Sequence, residues 1–141
     1  MFEMDQRLVD STDLVAELPL SNVLLSKNAA WPWFLLVPRV DGVNDISDLS
    51  VEDQQQFWLE SNALSLFIKQ HFEPTSLNVA ALGNVVPQLH VHHVARYETD
   101  PAWPDPIWGF DAQEQRNEEE LSAIKQAVLA VFGELCAESD A

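Results

Sequence analysis

The 141-residue chain has a single cysteine, Cys136. No internal disulfide can form, and the place of Cys136 in an apolar helical pattern points to packing rather than nucleophilic work. Such cysteine usage fits a reducing cytoplasm. Basic residues are scarce as well, seven against 23 acidic, which leaves a net charge of −16 with neutral histidine. Most of the surface therefore repels phosphate backbones and anionic membranes, which argues against nucleic acid or a membrane as main partner. A small anionic ligand is compatible only with a pocket that supplies N–H groups, amides, histidines or an arginine locally. Long apolar runs are missing, and Met1 to Arg7 lacks the basic start and apolar stretch of a signal peptide, so a soluble, unexported, cytoplasmic protein is expected. Repeats and low-complexity tracts are absent too. The Gly and Pro residues are scattered as turn punctuation, so one domain is expected over 1–141. A domain of this size buries roughly two thirds of the surface its unfolded chain exposes.

What is present reads as short strands and two helices. Asn22 to Leu25 and Trp33 to Val37 are apolar runs of strand length, separated by Ser26-Lys27-Asn28 and closed by Pro38. Ser50 can cap a helix with Asp53 three residues on, and Phe57, Leu64, Phe67, Ile68 and His71 recur at helical spacing before Pro74. Leu77 to Ala81 and a motif strand over about 87–96 follow, with Gly83-Asn84 at the turn between them. Tyr97 to Phe110 is rich in proline and tryptophan and reads as an ordered irregular flap, structural rather than a substrate lid. Asn117 caps a last helix over about 117–137, with Leu121, Ile124, Val128, Val131 and Leu135 as its apolar stripe. Antiparallel runs without strand-helix-strand alternation indicate an α+β domain with helices on one face of a mainly antiparallel sheet.

The chemistry is concentrated in Gln88-Leu89-His90-Val91-His92-His93-Val94, which holds three of the four histidines. On a strand Gln88, His90 and His92 share one face while Leu89, Val91 and His93 take the other. Same-face neighbours stand about 6.6 Å apart, which suits one group that attacks and another that assists the leaving group. An unperturbed pKa near 6.5 makes histidine both a neutral nucleophile and a protonated acid near neutral pH. Two other readings fit the same residues. They are ordinary exposed histidines, or half of a His-x-His metal site completed by His71 or an acidic side chain. His93 reads as packed or hydrogen-bonded, and His71 as a favourable charge at a helix C-terminus.

On these residues the chain resembles the histidine triad family, whose motif is His-φ-His-φ-His-φ-φ with φ apolar. Gly83-Asn84 before the motif, Arg96 after it and Asn78, similar to the family's phosphate-facing asparagine, carry the likeness further, over about residues 20 to 97. Gln88 stands at the first triad position, and Pro32-Trp33-Phe34 stands where many members have Pro-Gly-His. The segment Trp103 to Gly109 looks like that of a bacterial subgroup. The resemblance implies a sheet of about five antiparallel strands with two main helices, and commonly a homodimer whose sheet continues across the interface. It implies a nucleotidyl-histidine intermediate on His90, with His92 near the leaving group as acid or positioning donor. Gln88, Asn84, Asn78 and Arg96 are then the substrate-binding set, with no metal or cofactor. The substrate would be a small nucleotidyl conjugate such as a dinucleoside polyphosphate or a nucleoside phosphoramidate, and the reaction hydrolysis or transfer. A nucleotide-binding module with little turnover and a metal-dependent enzyme remain the alternatives.

Overall fold

The structure, a computed structural model, describes residues 1–140, with side chains described as far as residue 133. A short helix, α1 (Gln6–Ser11), is capped by Asp5, whose carboxylate accepts from the Arg7 N–H. It runs straight into β1 (Thr12–Glu17). Neither element is among those expected. The six residues of α1 are too few for a periodic signal. In β1 a register shift between Leu14 and Ala16 breaks the alternation that would mark a strand. The hairpin of β2 (Ser21–Ser26) and β3 (Trp33–Pro38) matches expectation.

Helix α2 (Val51–Phe72) begins where Ser50 Oγ accepts from the Asp53 N–H at 3.1 Å. Glu52 and Asp53 in its first turn complement the helix dipole. Its buried Glu60 is an unexpected anchor. The carboxylate accepts from the N–H groups of Leu20 and Ser21 at 2.8 and 3.0 Å, so the turn between β1 and β2 is tied to the helix. Strands β4 (Ser76–Ala81) and β5 (Val91–Arg96) complete a five-stranded sheet in the order β1-β2-β3-β5-β4, antiparallel throughout. The motif strand is shorter than the expected 87–96. Its pairing with β3 starts at Val91, opposite Leu36, and neither Pro38 nor Pro87 has an N–H to extend it.

Helix α3 (Glu118–Asp140) is capped as expected by Asn117, whose Oδ1 accepts from the Glu120 N–H at 2.8 Å. Its stripe needs one correction. Val128 is fully buried and Leu121 and Ile124 pack against the core, but Val131 is 48% exposed and Phe132 takes the core position. Four residues on from Val128 returns closer to the same face than three. Leu135 and Cys136 lie outside the described side chains.

The main core lies between the sheet and the two long helices, where Val23, Leu25, Phe34, Leu36 and Val91 meet Phe57, Leu64, Ile68 and Phe132. The opposite face is also covered. Leu8 of α1, with Phe2 and Met4, packs on Leu24, Leu35 and Val37. The site faces this second layer. No helix is long and apolar enough to cross a membrane among the described residues.

Candidate active site

Strand β5 is interior, paired to β3 on one side and β4 on the other, so its side chains are held from both directions. His92 stands opposite Leu35 and Ala80, and Trp33 opposite Val94. Register therefore puts His92, Leu35 and Trp33 on one face. His93 takes the other face and is fully buried. The Val91 carbonyl, 3.0 Å from His93 Nδ1, can only accept, so Nδ1 carries the hydrogen and Nε2 accepts from Ser61 Oγ at 2.7 Å. Burial lowers its pKa to about 4. His93 is thus a neutral, satisfied core histidine.

His90 and His92 are each 7% exposed, their rings 5.2 Å apart between centroids. His90 Nδ1 is 2.6 Å from the Gln88 carbonyl oxygen and donates to it. In the neutral form of the ring the lone pair is then on Nε2. In His92 the nitrogens are reversed, because Nδ1 accepts from the Trp33 Nε1–H at 2.9 Å and Nε2 holds the hydrogen. Burial first, then the neighbouring His90 and His93, lowers the His92 pKa to about 4. Trp33 and Trp108 flank its ring at centroid distances of 5.6 and 5.3 Å. The pair presents one bare nitrogen and one N–H, the minimum for a nucleophile with a hydrogen-bond donor beside it.

Both rings open on a cleft of about 760 Å³, within the range of small-molecule sites. Trp33 and Leu35 line it from the sheet, Arg7 from α1 and Lys27 from the turn after β2. A smaller hollow of about 250 Å³ joins the histidines to Gly83, Asn84 and Val85. Asn84 is thereby brought beside His90 and His92. Gly83 has φ +49°, and a Cβ there would lie 3.0 Å from Asn44 Oδ1, so the turn that presents Asn84 suits glycine.

The other expected site residues lie elsewhere. Gln88 turns its amide to the N-terminal segment: Oε1 accepts from the Asp5 N–H and Nε2 donates to the Glu3 carbonyl, both at 2.8 Å. Arg96 is 1% exposed and donates from Nε and Nη2 to Asp100 and from Nη1 to Asn78 Oδ1. Neither Arg96 nor Asn78 lines the cleft. Burial pushes the Asp100 carboxyl up, but Arg96 and the N–H groups of Tyr97 and Ala102 outweigh it and hold the group below the usual carboxylate range. The flap packs through Ala102 and Ile107 on Trp31 and Val94, as a structural element does, while its Trp108 reaches His92. Phe34 lies in the core against Phe67 and Phe72. His71 stacks on Phe67 near the end of α2, and no group of three or more His, Cys, Asp or Glu is placed to hold a metal ion among the described residues.

Trp33 and Arg7, which line the cleft, and Trp108, which meets the His92 ring, are the residues that sequence reasoning missed. Only the register of β3 against β5 puts Trp33 beside His92.

A family model described as HIT domain matches residues 7–99. Of solved structures, a histidine triad protein from Marinobacter aquaeolei VT8 is similar at 43% identity and a TM-score of 0.91, with 96% of this chain and 98% of that one covered. A histidine triad protein from Bradyrhizobium japonicum is similar at 39% identity and a TM-score of 0.90, covering 92% and 97%. Of curated proteins, a bis(5'-adenosyl)-triphosphatase of Saccharomyces cerevisiae is 33% identical over 69 residues, 45% of this chain and 34% of that protein. The match thus spans about a third of the length of the curated relatives.

Proposed function

The chain belongs to the HIT domain family, and from that premise we propose that it is a nucleotide-phosphate hydrolase that works through a nucleotidyl-histidine intermediate on His90. The observation that carries this reading is the hydrogen bond from His90 Nδ1–H to the Gln88 carbonyl. With Nδ1 committed to that carbonyl, the neutral form of the ring carries its lone pair on Nε2, in a cleft of nucleotide size. His90 Nε2 attacks the α-phosphorus, the N–P bond forms, and the bond to the leaving group breaks with its electron pair going to that group. The ring gains positive charge as it is nucleotidylated, and the Gln88 carbonyl accepts the Nδ1–H that carries it. Water then attacks phosphorus, its proton passes to solvent and the electron pair returns to Nε2. The covalent route divides one displacement into two easier ones.

In this reading Asn84 donates its amide to a non-bridging oxygen, since it shares a hollow with both histidines. Gln88 contributes its main-chain carbonyl rather than its side chain. Asn78 and Arg96 act indirectly, by holding Asp100 and the start of the flap that carries Trp108. The molecule acts as a homodimer. Among the described residues β4 is an edge strand, its Val79 is exposed, and Leu59 and Leu66 are exposed on α2.

A nucleotide-binding module with little turnover is the second reading, favoured by the commitment of the Gln88 amide to the N-terminal segment. Incubation with diadenosine triphosphate, mass analysis of the intact protein and an assay for released AMP separate the two. An adenylyl adduct lost in His90→Ala, with AMP release, supports the hydrolase. Stabilisation against heat by AMP with neither adduct nor release supports the module and overturns the hydrolase.

A further inference from the structure

His92 is flanked by Trp33, Trp108 and His90, and of these only Trp33 meets one of its ring nitrogens. Trp33 reaches diagonally from β3, and an indole N–H donates but cannot accept. Protonation of His92 would set two N–H groups against each other at 2.9 Å, in surroundings that leave the residue 7% exposed. Of the titratable groups around it, His90 immediately before β5 and His93 on it both disfavour a positive charge on His92. Arg7 and Asp10 from α1, Lys27 from the turn after β2 and Glu114 from the segment before α3 share its cleft, two of each sign.

The geometry points to Trp33 as a positioning residue that fixes His92 as a neutral Nε2–H donor, and so reserves the site for substrates whose leaving group departs as an anion. The inference rests on the reading of His90 as nucleophile and names the leaving-group class for it. When His90 Nε2 displaces the leaving group of a phosphoanhydride, the P–O electron pair goes to a phosphate oxygen. That oxygen is stable as an anion, and the His92 Nε2–H assists by a hydrogen bond without giving up its proton. Displacement of an alkylamine from a phosphoramidate breaks a P–N bond, and the pair needs a proton as it departs. An imidazolium supplies one readily, whereas a neutral imidazole is a very weak acid. Locked in the neutral form, His92 favours the anhydride.

The test is a two-bond proton–nitrogen correlation spectrum of the histidine rings of ¹⁵N-labelled wild-type protein and Trp33→Phe, from pH 8 to pH 5. Wild-type His92 should keep the Nε2–H pattern over the whole range, and in Trp33→Phe it should show mixed tautomers and titrate within it. Both proteins are then given diadenosine triphosphate and the adenosine 5'-phosphoramidate of a primary alkylamine. Wild type should prefer the anhydride. Trp33→Phe at pH 6 should narrow the ratio of the two kcat/KM values at least tenfold, by gaining on the phosphoramidate. A wild-type His92 in the Nδ1–H form, or one that titrates above pH 5, overturns the lock, and this arm needs no variant to fold. An unchanged ratio beside a released tautomer overturns the selectivity. If wild type turns over neither compound while its His92 holds the Nε2–H form, the hydrolase reading and the selectivity fall and the lock stands.

Discussion

Gln88 and Asp5 are 83 positions apart in sequence and 2.8 Å apart in space, where the side-chain oxygen of one accepts from the backbone N–H of the other. With the Glu3 carbonyl on its Nε2, the amide meets the N-terminal segment as a neighbouring strand would, donor to acceptor and acceptor to donor. The residue at the first motif position therefore secures residues 3 to 5, while its main-chain carbonyl orients the His90 ring.

Gln88→Ala should consequently lose both side-chain bonds and destabilise the fold by about 1–3 kcal/mol. Gln88→His can replace at most part of the pair and should fall between wild type and alanine. In both variants the carbonyl that holds His90 is unchanged, so kcat should stay within about tenfold of wild type, roughly 1.4 kcal/mol of barrier. Urea midpoints and kcat on one substrate check this. A large rate gain in Gln88→His would show that the side chain itself tunes the nucleophile.

His90→Ala should lower kcat by at least about a thousandfold, on the order of 4 kcal/mol, with circular dichroism and Tm close to wild type. The ring is buried but lines the cleft and lies outside the hydrophobic clusters of the described residues, so its loss removes little of the apolar core. Activity within tenfold of wild type would remove His90 as nucleophile.

Stability should fall as the solution is acidified from about pH 6.5 to pH 4. His92 and His93 have folded pKa values lowered to about 4 from 6.5, so over this window the unfolded chain binds protons that the folded chain refuses. The contribution is fully present above pH 6.5 and lost on the way down, at most on the order of 3 kcal/mol for each ring. Urea midpoints at pH 7, 6, 5 and 4.5 measure it. His93→Gln should be less stable at pH 7 yet show a shallower slope, and an equal slope would assign the loss to other groups.

Val79→Lys should convert a dimer into a monomer. A charge on an exposed edge strand opposes strand pairing with a second copy, and Val79 projects to the side of the sheet that carries α2. Light scattering at micromolar concentration reads the mass, and a monomeric wild type would end the dimer proposal.

Elements with a strong period were legible in the sequence. The β2–β3 pair, α2, β4 and α3 follow from apolar runs of strand length bounded by turn residues, from 3.6-residue recurrence and from the caps Ser50 and Asn117. Alternation along residues 88–94 also separated His90 and His92 from His93. What stayed hidden depends on partners distant in sequence. Arg96 has the look of a phosphate ligand until Asp100 and Asn78 are seen around it. Trp33 reads only as the start of an apolar strand run until register sets it beside His92. The amide of Gln88 could not be assigned while residues 1–11 had no expected structure, and a bulge concealed β1 next to them.

The interior position of β5 has a consequence for how the molecule opens. Amides of a strand hydrogen-bonded on both sides exchange with solvent through the largest unfolding events, whereas a terminal segment held by a few bonds exchanges through local ones. His92 should therefore keep its place until the whole domain unfolds, while residues 1–5, tied to Gln88 and to α1, peel away at much lower free energy. Deuterium uptake would then divide the surroundings of the site in two, a rigid floor that carries His92 and a wall that opens and recloses many times within the lifetime of the fold.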